Sequence, residues 1–213
     1  MTNGVNEYSL IEEIWHAITH GVGLLLSIAG LTVLVAYATL QGSVLAITSS
    51  AIFGTTLIIT YGASTLYHAI SHTNIKNFFK QLDHASIYFL IAGTYTPITL
   101  ISVGGTLGWS IFGIVWTVAI IGVILKFAYP NRFEKLSLVL YLLLGWLIVV
   151  AVKPLFENME SGGLWLMLAG GLSYTFGVIF YVWDNLPFNH AIWHLFVLGG
   201  STLHFFMVLL YAI

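Results

Sequence analysis

Residues Val44–Tyr67 read VLAITSSAIFGTTLIITYGASTLY, 24 residues without an Asp, Glu, Lys or Arg. At a helical rise of about 1.5 Å per residue such a run is about 36 Å long, enough to cross the roughly 30 Å hydrocarbon core of a bilayer. It lacks the strict alternation that a lipid-facing barrel strand requires. In lipid every backbone polar group must be paired within the chain, so a helix is the remaining choice. Six comparable runs lie around it: Thr19–Thr39, Asp83–Val103, Trp109–Ala128, Leu136–Val152, Leu164–Tyr181 and Ala191–Ile213. The whole chain agrees, being 59% hydrophobic and 7% charged where soluble domains run near 45–50% and 25%. Too little polar surface remains to cover a water-soluble globule. The expected fold class is an all-α membrane protein, one seven-transmembrane-helix bundle over residues 1–213.

Several function classes fall away at once. The formal charge is −2 and the Lys and Arg are scattered, so no nucleic-acid partner is expected. There is no cysteine, which removes disulfides, thiolate metal sites and cysteine nucleophiles. The opening stretch Met1–Glu13 has no Lys or Arg and carries Glu7, Glu12 and Glu13, the wrong flank for a secretory signal. No Lys occurs in the last span, so a retinal Schiff base has no amine, and no Arg-rich helix offers voltage sensing. A pore would need rows of ionisable residues along the spans, and these are missing outside one cluster. The segment between Val152 and Leu164, with Pro154, Gly162 and Gly163, reads as a turn.

Orientation follows from the basic residues. Lys76, Lys80, Lys126, Arg132 and Lys135 fall on the side of the N-terminus, and Lys153 alone falls on the other. The positive side faces the cytoplasm, so the N-terminus is expected inside, the C-terminus outside, and the protein multi-pass in the plasma (inner) membrane. This topology brings His68 at the end of span two, Asp83 at the start of span three, and His190 and His194 at the start of span seven to one inner layer.

Ionisable groups within a bundle point to function. Three of the eight histidine positions open i,i+4 pairs, His16/His20, His68/His72 and His190/His194. That spacing stacks two imidazoles on one helix face, as in the zinc-binding HExxH helix. One pair plus a single His from another helix would match the three-ligand count of catalytic zinc. Donors without thiolates favour zinc ahead of nickel, copper or iron. For each residue a plainer role stands beside this one. His16/His20 read as interfacial residues paired with Glu12 or Glu13, and His72 as facing an aqueous loop. His204, about 15 Å deeper than His194, reads as a neutral interhelical hydrogen-bond partner. His84 points about 100° away from Asp83. Asp83 is the leading carboxylate, with helix N-capping as its alternative. Ser64 stands one turn before His68, with ordinary packing as its alternative. Pro97 is expected to kink span three, and Gly21/Gly23, Gly104/Gly105 and Gly170/Gly171 to let helices approach closely.

The motifs Ser64-Thr-Leu-Tyr-His68, Asp83 and His190-Ala-Ile-Trp-His194 together resemble the signature of the progestin and adiponectin receptor family, in its bacterial hemolysin III branch. Glu12-Glu13 followed by Thr19-His20-Gly21-Val22-Gly23, and the tail from His194 to Phe205, are similar to that branch too. The resemblance implies seven helices with an intracellular N-terminus. It also implies zinc held by His68, His190 and His194, with Asp83 reaching the metal through water and Ser64 close by. Some eukaryotic relatives are ceramide hydrolases, which implies a lipid acyl bond as substrate. The chain departs from the eukaryotic receptors in lacking their soluble N-terminal extension and in a shorter His68-to-Asp83 connection.

The expected function is therefore a zinc-binding membrane protein hydrolysing an amide or ester bond of a membrane lipid. Asp83 would take a proton from water and Ser64 would donate a hydrogen bond to the developing oxyanion. Two rivals stand beside it: a structural zinc in a non-enzymatic membrane-homeostasis or sensing protein, and a hemolysin-type pore.

Overall fold

The computed structural model of the protein describes residues 8–213, so the flank from Met1 to Glu7 lies outside the described residues. It contains seven helical segments long and apolar enough to cross a membrane: Leu10–Gln41, Val44–Ala69, Thr73–Val103, Gly105–Ala128, Glu134–Asn158, Ser161–Tyr181 and Asn189–Ala212. No strand occurs among the described residues. The regular helices are α1 (Leu10–Gln41), α2 (Val44–Ala69), α3 (Thr73–Pro97), α4 (Gly105–Ala128), α5 (Glu134–Trp146), α6 (Val152–Asn158), α7 (Ser161–Tyr181) and α8 (Asn189–Met207). Leu25, Ile121, Leu143 and many like them are exposed on the outside of the bundle, the surface that lipid covers. The third span is the central post, with 78% of its most apolar window buried against 17% for the fifth.

Two spans begin well before their apolar runs. Span one starts at Leu10 rather than Thr19, because Ser9 and Glu12 form a reciprocal capping box that satisfies the free N–H groups of the first turn. Span three starts at Thr73 rather than Asp83. Its first turns carry Lys76 and Lys80, which are therefore helical and not loop residues. Hydropathy marks the part of a helix that lipid covers, whereas caps mark where the helix begins. Asp83 is accordingly buried inside α3 and is not its N-cap.

The expected kink at Pro97 takes the form of a wide turn. Pro97 has no N–H to continue the helical ladder, and Ile98–Val103 follows as a π-helix. Span five is longer than expected. The 3-10 stretch Leu147–Ala151 joins α5 to α6, so Lys153 and Pro154 are helical and the turn shrinks to Met159–Glu160. The hydroxyl of Tyr95 crosses from α3 to this break. It donates toward Leu144 O (2.7 Å) and Gly145 O (3.0 Å) and accepts from Ile148 N (2.8 Å).

The glycine expectations divide. A Cβ on Gly23 would lie 2.6 Å from the Tyr61 ring, and one on Gly170 would collide with His204, so these two do let helices close up. Gly104 and Gly105 instead adopt positive φ (65° and 56°) with open space or ordinary contact around them. They make the turn into α4 and do not serve packing.

Candidate metal centre

At the end of the bundle that carries the start of α1, imidazoles from three helices meet. α2 ends one residue after His68, while α8 begins one residue before His190 and lays His194 one turn further on. Ring centres are 4.5 Å apart for His190 and His194, 5.3 Å for His68 and His190, and 5.4 Å for His68 and His194. Each offers a nitrogen, and the three nitrogens lie within 4.8 Å of one another. All three residues are buried. His68 Nε2 and His190 Nε2 have no hydrogen-bond partner. Buried acceptors left unpaired are costly and ordinarily mark a partner such as an ion. A soft-to-borderline divalent cation fits this all-imidazole donor set.

The opposite ring nitrogens are held from α1. Glu13 Oε2 lies 2.6 Å from His68 Nδ1, and Glu13 Oε1 accepts from Lys76 Nζ at 2.8 Å. Lys76 also reaches the Tyr67 carbonyl at 3.2 Å. Thr19 Oγ1 lies 3.1 Å from His194 Nδ1. A second grouping able to hold a metal, Glu13 with His16 and His68, shares His68 with the first.

His16 and His20 belong to this cluster, which corrects the interfacial reading. Glu12 is engaged in the cap and with Phe188 N (3.4 Å), and Glu13 with His68, so neither pairs with them. His16 is fully buried, its ring centre 4.6 Å from His68, 4.9 Å from His190 and 5.4 Å from His194. His20 stacks on His194 at 3.4 Å. None of the four ring nitrogens of His16 and His20 has a hydrogen-bond partner. Their i,i+4 spacing was the available signal. Tyr8 closes the cluster, 4.7 Å from His16 and 5.4 Å from His190. Burial above all, with Tyr181 nearby, pushes its phenol above the ordinary range, so it stays a neutral hydroxyl.

The remaining candidates take separate places. Ser64 is fully buried on α2 one turn from His68, its hydroxyl without a partner. His84 turns toward Glu134 (3.4 Å), which also pairs with buried Lys126 (2.6 Å). His72 is exposed at the N-cap of α3, past the end of α2, so the His68/His72 pair does not share a helix. His204 meets the Met167 carbonyl at 3.2 Å, an interhelical bond between α8 and α7.

A cavity of about 140 Å³ opens beside the cluster. Asp83, His190 and His194 stand on its wall, and Leu90, Leu142 and Val178 are among its apolar lining. A second cavity of about 310 Å³ runs on toward Phe156 and Trp165. Tyr95, Trp146 and His204 border both.

Fold and site together define a multi-pass membrane protein with a buried histidine cluster suited to a metal ion. Residues 8–205 match the family model described as Haemolysin-III related, and the chain belongs to that family. It is 50% identical to Hemolysin-3 of Bacillus cereus over 202 residues, covering 95% of this chain and 92% of that one. It is 47% identical to the Hemolysin-3 homolog of Bacillus subtilis (strain 168) over 206 residues, 97% of each chain. The human monocyte to macrophage differentiation factor is 31% identical over 163 residues, 74% of this chain and 67% of that one. This more distant likeness links the chain to the progestin and adiponectin receptor family.

Proposed function

We propose that the protein is a zinc-dependent hydrolase of an acyl bond, amide or ester, in a membrane lipid. One observation carries the reading: a buried carboxylate, Asp83, and two of three clustered imidazoles share the wall of a cavity lined largely by apolar side chains between membrane helices. The basic residues Lys76, Lys80, Lys126, Arg132 and Lys135 gather at that end, which supports a cytoplasmic position for the site in the plasma membrane.

His68, His190 and His194 would hold the ion. Zinc, when bound, would supply a Lewis acid that polarises a carbonyl and lowers the pKa of water to about 7. Asp83 orients the attacking water and accepts its proton. As the C–N or C–O bond breaks, Asp83 passes that proton to the leaving amine or alkoxide. Ser64 donates its otherwise unused hydrogen bond to the carbonyl oxygen as charge builds there. The apolar walls exclude bulk water and lodge the acyl chain, and the second cavity receives its far end.

Protein purified without added metal is expected to carry about one zinc per chain, and to lose it in the doubly substituted His190→Ala, His194→Ala form. Wild type is expected to release fatty acid from an amide- or ester-linked lipid in detergent micelles, and the double variant to release none. Hydrolysis retained without metal overturns the reading. A structural ion is the second reading, favoured by the packing of fully buried His16 against all three candidate ligands. Zinc present with no lipid consumed selects it. The name Hemolysin-3 of the Bacillus cereus relative suggests lysis, which dye leakage from liposomes tests directly.

A further inference from the structure

α1 supplies none of the three proposed ligands, yet it touches two of them at Nδ1. From this geometry we infer that Glu13 and Thr19 are positioning residues that set the tautomers of His68 and His194. Each imidazole then carries its proton on Nδ1 and turns a bare Nε2 toward the ion. The inference rests on His68 and His194 being ligands.

For His68 the partner is a carboxylate. Glu13 Oε1 accepts from Lys76 Nζ at 2.8 Å, an ion pair in which Glu13 is the carboxylate. An ionised carboxylate only accepts hydrogen bonds, so the 2.6 Å contact requires a proton on His68 Nδ1. Nε2, buried and unpartnered, is then the lone-pair nitrogen. For His194 the reasoning runs through a single hydrogen. Thr19 Oγ1 lies 2.8 Å from Trp15 O and 3.0 Å from His16 O, both acceptors only, so the one hydroxyl proton is engaged with the helix backbone. The hydroxyl can only accept from His194 Nδ1, which therefore carries the proton. Both ligands are thus set from one helix by unlike groups, the arrangement in which a second layer of hydrogen bonds orients metal-binding histidines.

The test uses full-length protein in detergent. In a zinc competition against a chelator, Thr19→Val and Glu13→Gln are each expected to bind about 10- to 100-fold more weakly than wild type, and Thr19→Ser to recover wild-type affinity. Wild-type affinity in both of the first two variants overturns the proposal. Nitrogen-15 spectra of histidine-labelled, metal-free wild type provide a readout that needs neither zinc nor a substituted chain. His68 and His194 are expected as Nδ1–H tautomers, their signals identified by substituting each histidine. Thr19→Val should alter the His194 signal alone, and Glu13→Gln that of His68 alone. An Nε2–H tautomer at either histidine overturns the proposal. Wild type that binds no zinc but shows both Nδ1–H tautomers sinks the metal reading and leaves the positioning role standing.

Discussion

The two ends of the bundle differ in how densely they gather buried polar atoms without partners. In the half that holds the broken helices, side chains bridge the irregular stretches, although the Ser49, Ser50 and Ser102 hydroxyls and His204 Nδ1 stay without partners. The Tyr95 hydroxyl bridges the break between α5 and α6, and Thr99 Oγ1 returns to Tyr95 O at 2.7 Å. Asn158 Nδ2 donates to Ser102 O at 3.1 Å across the π-helical segment. At the histidine end such atoms cluster, and His16, His20, Ser64, His68 and His190 all bury nitrogens or oxygens with no partner. Because an unpaired polar group is costly where no water reaches it, five such residues gathered from three helices at one end point to groups kept free for something else. Tyr95 and Asp83 are both buried polar residues on α3, but Tyr95 bridges the helix break whereas Asp83 stands on the cavity wall beside His190 and His194.

The contrast can be broken most directly by removing metal. If the histidine end is a binding site, chelation should lower the melting temperature of wild type and leave the His190→Ala, His194→Ala form unmoved. At free zinc near 1,000 times Kd the stabilisation lost is about 4 kcal/mol, so equal melting temperatures with and without chelator would erase the distinction. Next in size is Asp83→Asn, expected to reduce lipid turnover by about 10²- to 10⁴-fold while zinc content by elemental analysis stays at the wild-type level. Turnover close to wild type would return Asp83 to the class of packing groups. Tyr95→Phe works on the other end: it should cost about 1–3 kcal/mol of stability by leaving backbone groups unpaired, with zinc affinity unchanged. A fall in affinity there would show that the two ends are not independent. The smallest effect sharpens the scale. Thr32 returns its hydroxyl to Ile28 O on an exposed face of α1, so Thr32→Val should shift stability by no more than about 0.5 kcal/mol, read by thermal unfolding.

Much of the site could be read from spacing. His190 and His194 share one helix face because they are four residues apart, and the alternation of span direction carries His68 and Asp83 to the same layer. Spacing misleads at Asp83, because the apolar run starts ten residues after the helix does. It was incomplete at His16 and His20, whose i,i+4 relation was visible but whose inward face was not. That face depends on where α1 begins, and a polar capping box, invisible to hydropathy, sets this point. That Glu13 meets His68 and Thr19 meets His194 could not be read, since these contacts join residues 55 and 175 positions apart.

Seven helices and their up-and-down order were already implied by run length and composition, because bilayer thickness and the cost of unpaired backbone leave a chain this apolar almost no other solution. Which imidazoles meet, which ring nitrogens of His68 and His194 are engaged, and that Asp83 lines the cavity came from how α1, α2, α3 and α8 lean on one another. Such contacts are fixed by side-chain shape and hydrogen-bond direction across helices, properties that no local stretch of residues contains.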